Sequence, residues 1–223
     1  MRRKALIQAT ARAGSPSLRR QAAYDARSAL SSNDATGRFA TPNVLACGNQ
    51  LCKMHGDVIW KANMDDAITW PLAYNVIRRR AVNNTFGMAR RRADGTAKPH
   101  QGWDFEATVG TPAYAIAAGT VEFVRDRGDY GLQLCIAFIL VGKSYWAFYA
   151  HLEKVFVSEG DPVERNDLVC KTGESGNAQG MPVADQHLHF EILTAAEPRS
   201  GLQDRVSPLV VFGKCPLTLG VTG

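Results

Sequence analysis

From residue 82 onward the apolar positions change rhythm. Short runs rich in β-branched and aromatic residues alternate with glycine, aspartate and proline, the pattern of strands bounded by turns. The predicted strands are 113–117, 119–125, 132–140, 144–151, 154–157, 168–171 and 187–193. Their separators include Arg127-Gly128-Asp129, Gly142-Lys143 and Glu159-Gly160-Asp161. These are too short to hold repeated crossover helices, so the strands must pair mainly antiparallel. Residues 81–212 therefore read as a mostly β, antiparallel sheet domain.

The first 80 residues lack that rhythm. Ser15-Pro16 is a helix start, with serine as cap and proline in the first turn, and the following SLRRQAAYDARSALSS reads as one short helix. Residues 31–41 are polar and read as a linker. Residues 42–80 mix short apolar pieces with turns, and TWPLAYNVIRRR (69–80) reads as strand or irregular chain leading into the domain. The division expected is an α and irregular N-terminal extension (1–80), the β domain (81–212) and a loosely packed, turn-rich tail (213–223).

Composition narrows the class. With 45% apolar and 21% charged residues in 223, the chain is globular, which excludes collagen, coiled coil and wholesale disorder. The longest apolar run breaks at Gly142-Lys143, too short to span a bilayer. The N-terminus begins MRRK, like the basic region of a signal peptide, but the ALIQATA that follows is short and interrupted by polar residues, so no ordinary secretory signal is expected. The formal charge of +5 is uneven: residues 78–98 hold seven basic side chains against one acidic, in two arginine triplets and Lys98. Such a run suits nucleic acid, an anionic envelope polymer or solubility alike. The triplets 78–80 and 90–92 are not interleaved with aromatics and sit in no recognised nucleic-acid-binding motif, so nucleic acid is not the expected partner.

The five cysteines (Cys47, Cys52, Cys135, Cys170, Cys215) are odd in number, and their pairing stays open. Cys135 lies in an apolar run and reads as a small buried hydrophobe. Cys47, Cys52 and His55 lack the fourth ligand and the usual spacing of a structural zinc site.

Histidine is scarce, and four of the five fall in suggestive places. In QHLHFEIL, a strand would project His187, His189 and Glu191 from one face and bury Leu188, Phe190 and Ile192 on the other. His100-Gln101-Gly102-Trp103-Asp104 offers an imidazole and a carboxylate, both good zinc ligands, turned toward one point through a glycine. His151 ends the aromatic strand YAHL. Hydrolytic zinc sites use three protein ligands and leave one position open, and spare histidines can carry protons. No HExxH helix is present.

The stretches HQGWDFEATVGTPAYAIAAGTVEFV (100–124), DYGLQLCIAF (129–138), YAHL (149–152) and HLHFEI (187–192) resemble, in order and spacing, the LytM/lysostaphin-type zinc peptidases of family M23. The similarity runs from about Phe86 to Pro208. It implies a LytM/lysostaphin-type β domain, duplicated-hybrid-motif-like, that hydrolyses peptide cross-links of bacterial peptidoglycan with Zn²⁺. It implies His100, Asp104 and His189 as metal ligands, and His151 and His187 as catalytic histidines that do not bind the ion. Glu191 either orients a metal-bound histidine or meets solvent or a salt bridge. Tyr149 and Trp103 are expected to pack and shape the site. The family often places Gly-Pro directly before its H-x-H pair, where this chain has Gly180-Met-Pro-Val-Ala-Asp-Gln, a departure that bears on specificity. The expected substrate is a D,D cross-link in preference to a glycine bridge. The lack of a signal, together with the extra elements around the core, resembles antibacterial effectors of this family. These reach a rival's periplasm through a contractile secretion machine and imply a cognate immunity protein and a secretion component as partners. A housekeeping wall-remodelling enzyme, and a non-enzymatic wall-binding or amidase-activating protein, are the alternatives.

Overall fold

The computed structural model describes residues Ala67–Gly223. The expected helix after Ser15, the linker 31–41 and the Cys47-Cys52-His55 group lie outside the described residues.

Fourteen strands follow in chain order: β1 (Tyr74–Asn75), β2 (Gly87–Arg91), β3 (Ala97–His100), β4 (Trp103–Glu106), β5 (Pro112–Tyr114), β6 (Gly119–Asp126), β7 (Leu132–Leu140), β8 (Lys143–Ala150), β9 (Leu152–Val155), β10 (Pro162–Val163), β11 (Leu168–Thr172), β12 (His187–Leu193), β13 (Arg205–Val206) and β14 (Val221–Thr222). All pairings are antiparallel. The main sheet runs β10-β6-β7-β8-β12-β13, with β4 also paired to β12. A three-stranded sheet, β5-β11-β9, and the hairpin β2-β3 complete the site's surroundings. The one α-helix among the described residues is a single turn, α1 (Leu209–Phe212).

The expected runs become strands with small shifts at their ends. The run 154–157 forms two residues earlier, as β9, and 144–151 stops at Ala150. His151 cannot continue β8 because its backbone is left-handed (φ 58°).

One strand is more enclosed than its sequence alone indicates. β12 is buried at all seven positions, not half-solvated. Its neighbours explain this: β8 pairs along one edge, while β4 and β13 share the other. Leu188, Phe190 and Ile192 enter the main core with Trp103, Phe105 and Tyr149. On the opposite face Leu193 joins Cys135, Phe148 and Ala150 in a second small cluster, with Tyr130 packed against it. Cys135 is thus the buried hydrophobe expected, and burial holds its thiol well above the usual range.

Residues on both sides of the β domain take part in the packing. Leu72, Val76 and Ile77 are buried, and Leu72 and Ile77 belong to the main core. In the tail, Val221–Thr222 pairs with Tyr74–Asn75, so this end is held by a sheet ladder and does not pack loosely. The clasp is fixed by Asn75, whose buried side chain bonds the Leu72 and Val221 carbonyls.

Candidate active site

Sheet register assembles the site. His189 in β12 faces Asp104 in β4 on one side and Ala150 in β8 on the other, and His151 follows Ala150 directly. Gly102 is required between His100 and Asp104, because a Cβ there would collide with the Phe190 carbonyl of β12. Gly131 is also required. It sits at φ 60° against the Ser175–Gly176 backbone, a conformation and a closeness that only glycine allows.

Three donor atoms converge. His100 Nε2 lies 3.1 Å from Asp104 Oδ1 and 3.3 Å from His189 Nδ1, and His189 Nδ1 lies 2.8 Å from Asp104 Oδ1. All three residues are buried. A carbonyl can only accept, so the 2.9 Å contact to the Thr85 carbonyl means that His100 Nδ1 carries the proton. Its Nε2 lone pair then faces a carboxylate oxygen, two acceptors turned on each other. A cation satisfies both. The spacing also fits, since ligands about 2.0–2.1 Å from a tetrahedral ion stand roughly 3.3 Å apart. The donor set of two imidazoles and one carboxylate is that of a zinc site with an open position.

His189 is held on both sides by carboxylates: Nδ1 on Asp104 and Nε2 on Glu191 Oε1, at 2.9 Å. Burial disfavours its charge, but these two partners outweigh burial and push its pKa up to about 9. Burial likewise opposes ionisation of Asp104, yet the proximity of His100 and His189 holds it well below the usual carboxylate range. Glu191 is lowered in the same way against its own burial, chiefly by the His189 bond. It also accepts from Tyr130 Oη at 2.5 Å and from Arg205 Nε at 2.7 Å. Of the two roles open for Glu191, orienting His189 and pairing in a salt bridge, the geometry joins both, and solvent plays no part.

A pH dependence follows. Cation binding must displace the proton on His189 Nδ1, so metal affinity is expected to fall about tenfold per pH unit below pH 9. Titration calorimetry in buffers of differing ionisation enthalpy should show about one proton released per ion at neutral pH. For the metal-free fold the sign reverses. The raised His189 pKa contributes stability that is fully present below pH 6.5 and is lost as pH rises through 9.

Two further histidines face the same cleft, which has a volume of about 520 Å³. His151 Nδ1 donates to the Ser175 carbonyl at 3.0 Å, and His187 Nδ1 to the Asp185 carbonyl at 2.8 Å. Each ring therefore keeps an unprotonated Nε2. Burial first, then the neighbouring His189 and His187, lower His151 to about 4. Burial lowers His187 as well, and the nearby Arg78 adds to the effect. Both rings are neutral at physiological pH. The altered approach to the H-x-H pair supplies the carbonyl that fixes His187: residues Val183–Asp185 form a 3₁₀ turn directly before it.

All five site residues expected from the sequence are thus gathered at one cleft. Sequence reasoning missed Arg78 and Arg90, which reach Asp104 Oδ2 at 3.4 and 2.5 Å, and the Tyr130–Arg205 pair on Glu191. The arginines were visible only as a charge run. Tyr130 was visible only as part of DYG.

Part of the chain is similar to known proteins. Residues 98–200 match the profile described as Peptidase family M23. Among curated proteins, the chain is 30% identical over 108 residues to peptidoglycan DD-endopeptidase ShyA of Vibrio cholerae, covering 48% of this chain and 23% of that protein. It is 32% identical over 120 residues to peptidoglycan DD-endopeptidase ShyB of the same organism, covering 53% and 26%. An uncharacterized metalloprotease of Haemophilus influenzae is 33% identical over 120 residues, covering 53% and 24%. The chain spans about a quarter of the length of these relatives. A zinc-containing peptidase structure from Vibrio cholerae superposes with a TM-score of 0.47 at 29% identity, covering 63% of this chain and 39% of that one. The converged donor atoms and the profile match on residues 98–200 together make this part of the chain a member of peptidase family M23.

Proposed function

We propose that the protein is a zinc-dependent endopeptidase that hydrolyses peptide cross-links of bacterial peptidoglycan, D,D cross-links in particular. The observation that carries this reading is the convergence of His100 Nε2, Asp104 Oδ1 and His189 Nδ1 beside two neutral histidines with free Nε2 atoms. The names of the relatives in Vibrio cholerae support the D,D choice, and the β domain is taken to be of the duplicated-hybrid-motif type.

His100, Asp104 and His189 would hold the ion. When bound, zinc supplies Lewis acidity to the scissile carbonyl and to the attacking water. The chain's own groups supply the proton traffic. His151 Nε2 is unprotonated, and its ring is oriented by Ser175, so it can accept the proton of the water as attack begins. His187, oriented by Asp185, faces the same point. Once protonated, either ring can donate to the departing amine or to the developing oxyanion. Arg78 and Arg90 fix the second oxygen of Asp104, leaving Oδ1 directed at the centre. Arg78 also lies 3.2 Å from His187 Nδ1, and its positive charge disfavours an early proton on that ring.

The test is digestion of purified sacculi by metal-loaded protein, with mass spectrometry of the released fragments to name the bond. Cross-link cleavage is expected from the wild type. His151→Ala should retain metal and lose about 10²–10⁴ in turnover. No fragment release from metal-loaded wild type, or undiminished release from both His151→Ala and His187→Ala, would overturn the proposal.

A further inference from the structure

The β2-β3 hairpin carries more positive charge than holding a metal ligand requires. Arg90 stands directly opposite Lys98 in the ladder. Alternate residues share a face, so Arg90 and Arg92 on β2 and its flank lie on the side of Lys98 and His100. All four border the cleft. Like charges placed opposite each other in a hairpin destabilise it, so this pairing calls for a function. Arg90 already holds a carboxylate, that of Asp104. Arg92 does not: its guanidinium donates to Thr96 Oγ1 and the Ala97 carbonyl, both neutral. Lys98 is exposed and has no hydrogen-bond or ion-pair partner among the described residues. Two cations without an ion-pair partner among the described residues thus stand at the cleft, which Asp129 also lines, on the strand face that leads to His100.

Resting on the endopeptidase reading above, we propose that Arg92 and Lys98 form a carboxylate subsite. It binds a free carboxylate of the anionic stem peptide next to the scissile bond. A glycine bridge carries no such group, so the subsite selects stem-peptide cross-links and makes this hairpin a specificity element. Charge-assisted bonds to a carboxylate are strong and directional, and the surrounding positive potential favours capture of the anion.

The test compares a soluble cross-linked stem-peptide dimer bearing free carboxylates with the same dimer bearing carboxamides. The zinc-loaded full chain should prefer the carboxylate form by about tenfold or more in kcat/KM. The double variant Arg92→Ala/Lys98→Ala should lose that preference, with the loss falling on KM, and Lys98→Glu should reverse it. Arg91→Ala is the control and should keep the preference, since Arg91 lies on the opposite face and bonds the Gly95 carbonyl. Equal cleavage of the two dimers by wild type, or an unchanged preference in the double variant, would overturn the subsite while leaving the endopeptidase reading intact. If wild type cleaves neither dimer, the activity reading fails instead, and binding decides the subsite. Calorimetry on the metal-loaded His151→Ala chain should then show at least about tenfold tighter binding of the carboxylate form, and equal binding would overturn it.

Discussion

Replacing His189 by alanine is expected to strip the centre of its metal and to lower hydrolysis at least about a thousandfold. The size follows from the chemistry removed: Lewis-acid stabilisation contributes several kcal/mol to such a transition state, and about 4 kcal/mol is a thousandfold in rate. The fold should survive the change. Without His189, Asp104 keeps Arg78 and Arg90, and Glu191 keeps Tyr130 and Arg205, so neither carboxylate is stranded. Elemental analysis beside sacculus digestion checks the outcome, with circular dichroism as the test of folding. Stoichiometric metal in a folded His189→Ala protein would remove His189 from the ligand set.

Glu191→Ala is expected to act on stability. Glu191 is fully buried, and its carboxylate receives His189, Tyr130 and Arg205. Arg205 is itself almost completely covered. Without Glu191, Arg205 would keep only the Arg199 and Gln203 carbonyls. Removing one member of a buried ion pair typically costs about 3–5 kcal/mol, because the remaining charge loses its counter-charge. At the size of this unit that amounts to a fall of roughly 10 °C in melting temperature. Glu191→Gln preserves the shape and one acceptor oxygen and should lose less. Thermal unfolding of both variants with chelator present separates the fold's need for this group from the metal's. Equal melting of Glu191→Ala and wild type would show that Arg205 finds other compensation.

Both expectations depend on features that differ in how far the sequence reveals them. Strands such as Leu132–Leu140 and His187–Leu193 were legible because β-branched and aromatic runs between turn residues encode them locally. The five site residues were legible because the motifs keep their spacing. What the sequence hid is contact between distant segments. Nothing local to HLHFEI says that β4, β8 and β13 border it on both edges, so from that strand alone the burial of its polar face could not be read. Nothing in the triplets Arg78–Arg80 and Arg90–Arg92 says that one residue of each turns inward onto Asp104. That choice is made by a 3₁₀ turn, by left-handed backbone at Arg79 and Arg80, and by a bulged hairpin register. The segment Leu72–Ile77 reads as a lead-in because its apolar run is short and interrupted by Asn75, yet Leu72, Val76 and Ile77 are buried against the domain.

The rung on which His189 meets Asp104 and Ala150 has a bearing on how preparations of the protein should behave. A slip of β12 by a single residue against either neighbour would present Leu188 or Phe190 in place of His189. A molecule with that error has no partial site and is silent, not slow. Heterogeneity from misfolding should therefore appear in the count of active molecules and leave KM untouched. Specific activity then becomes a direct census of strands paired in the correct alignment, and recovery after refolding measures how faithfully the sheet zips.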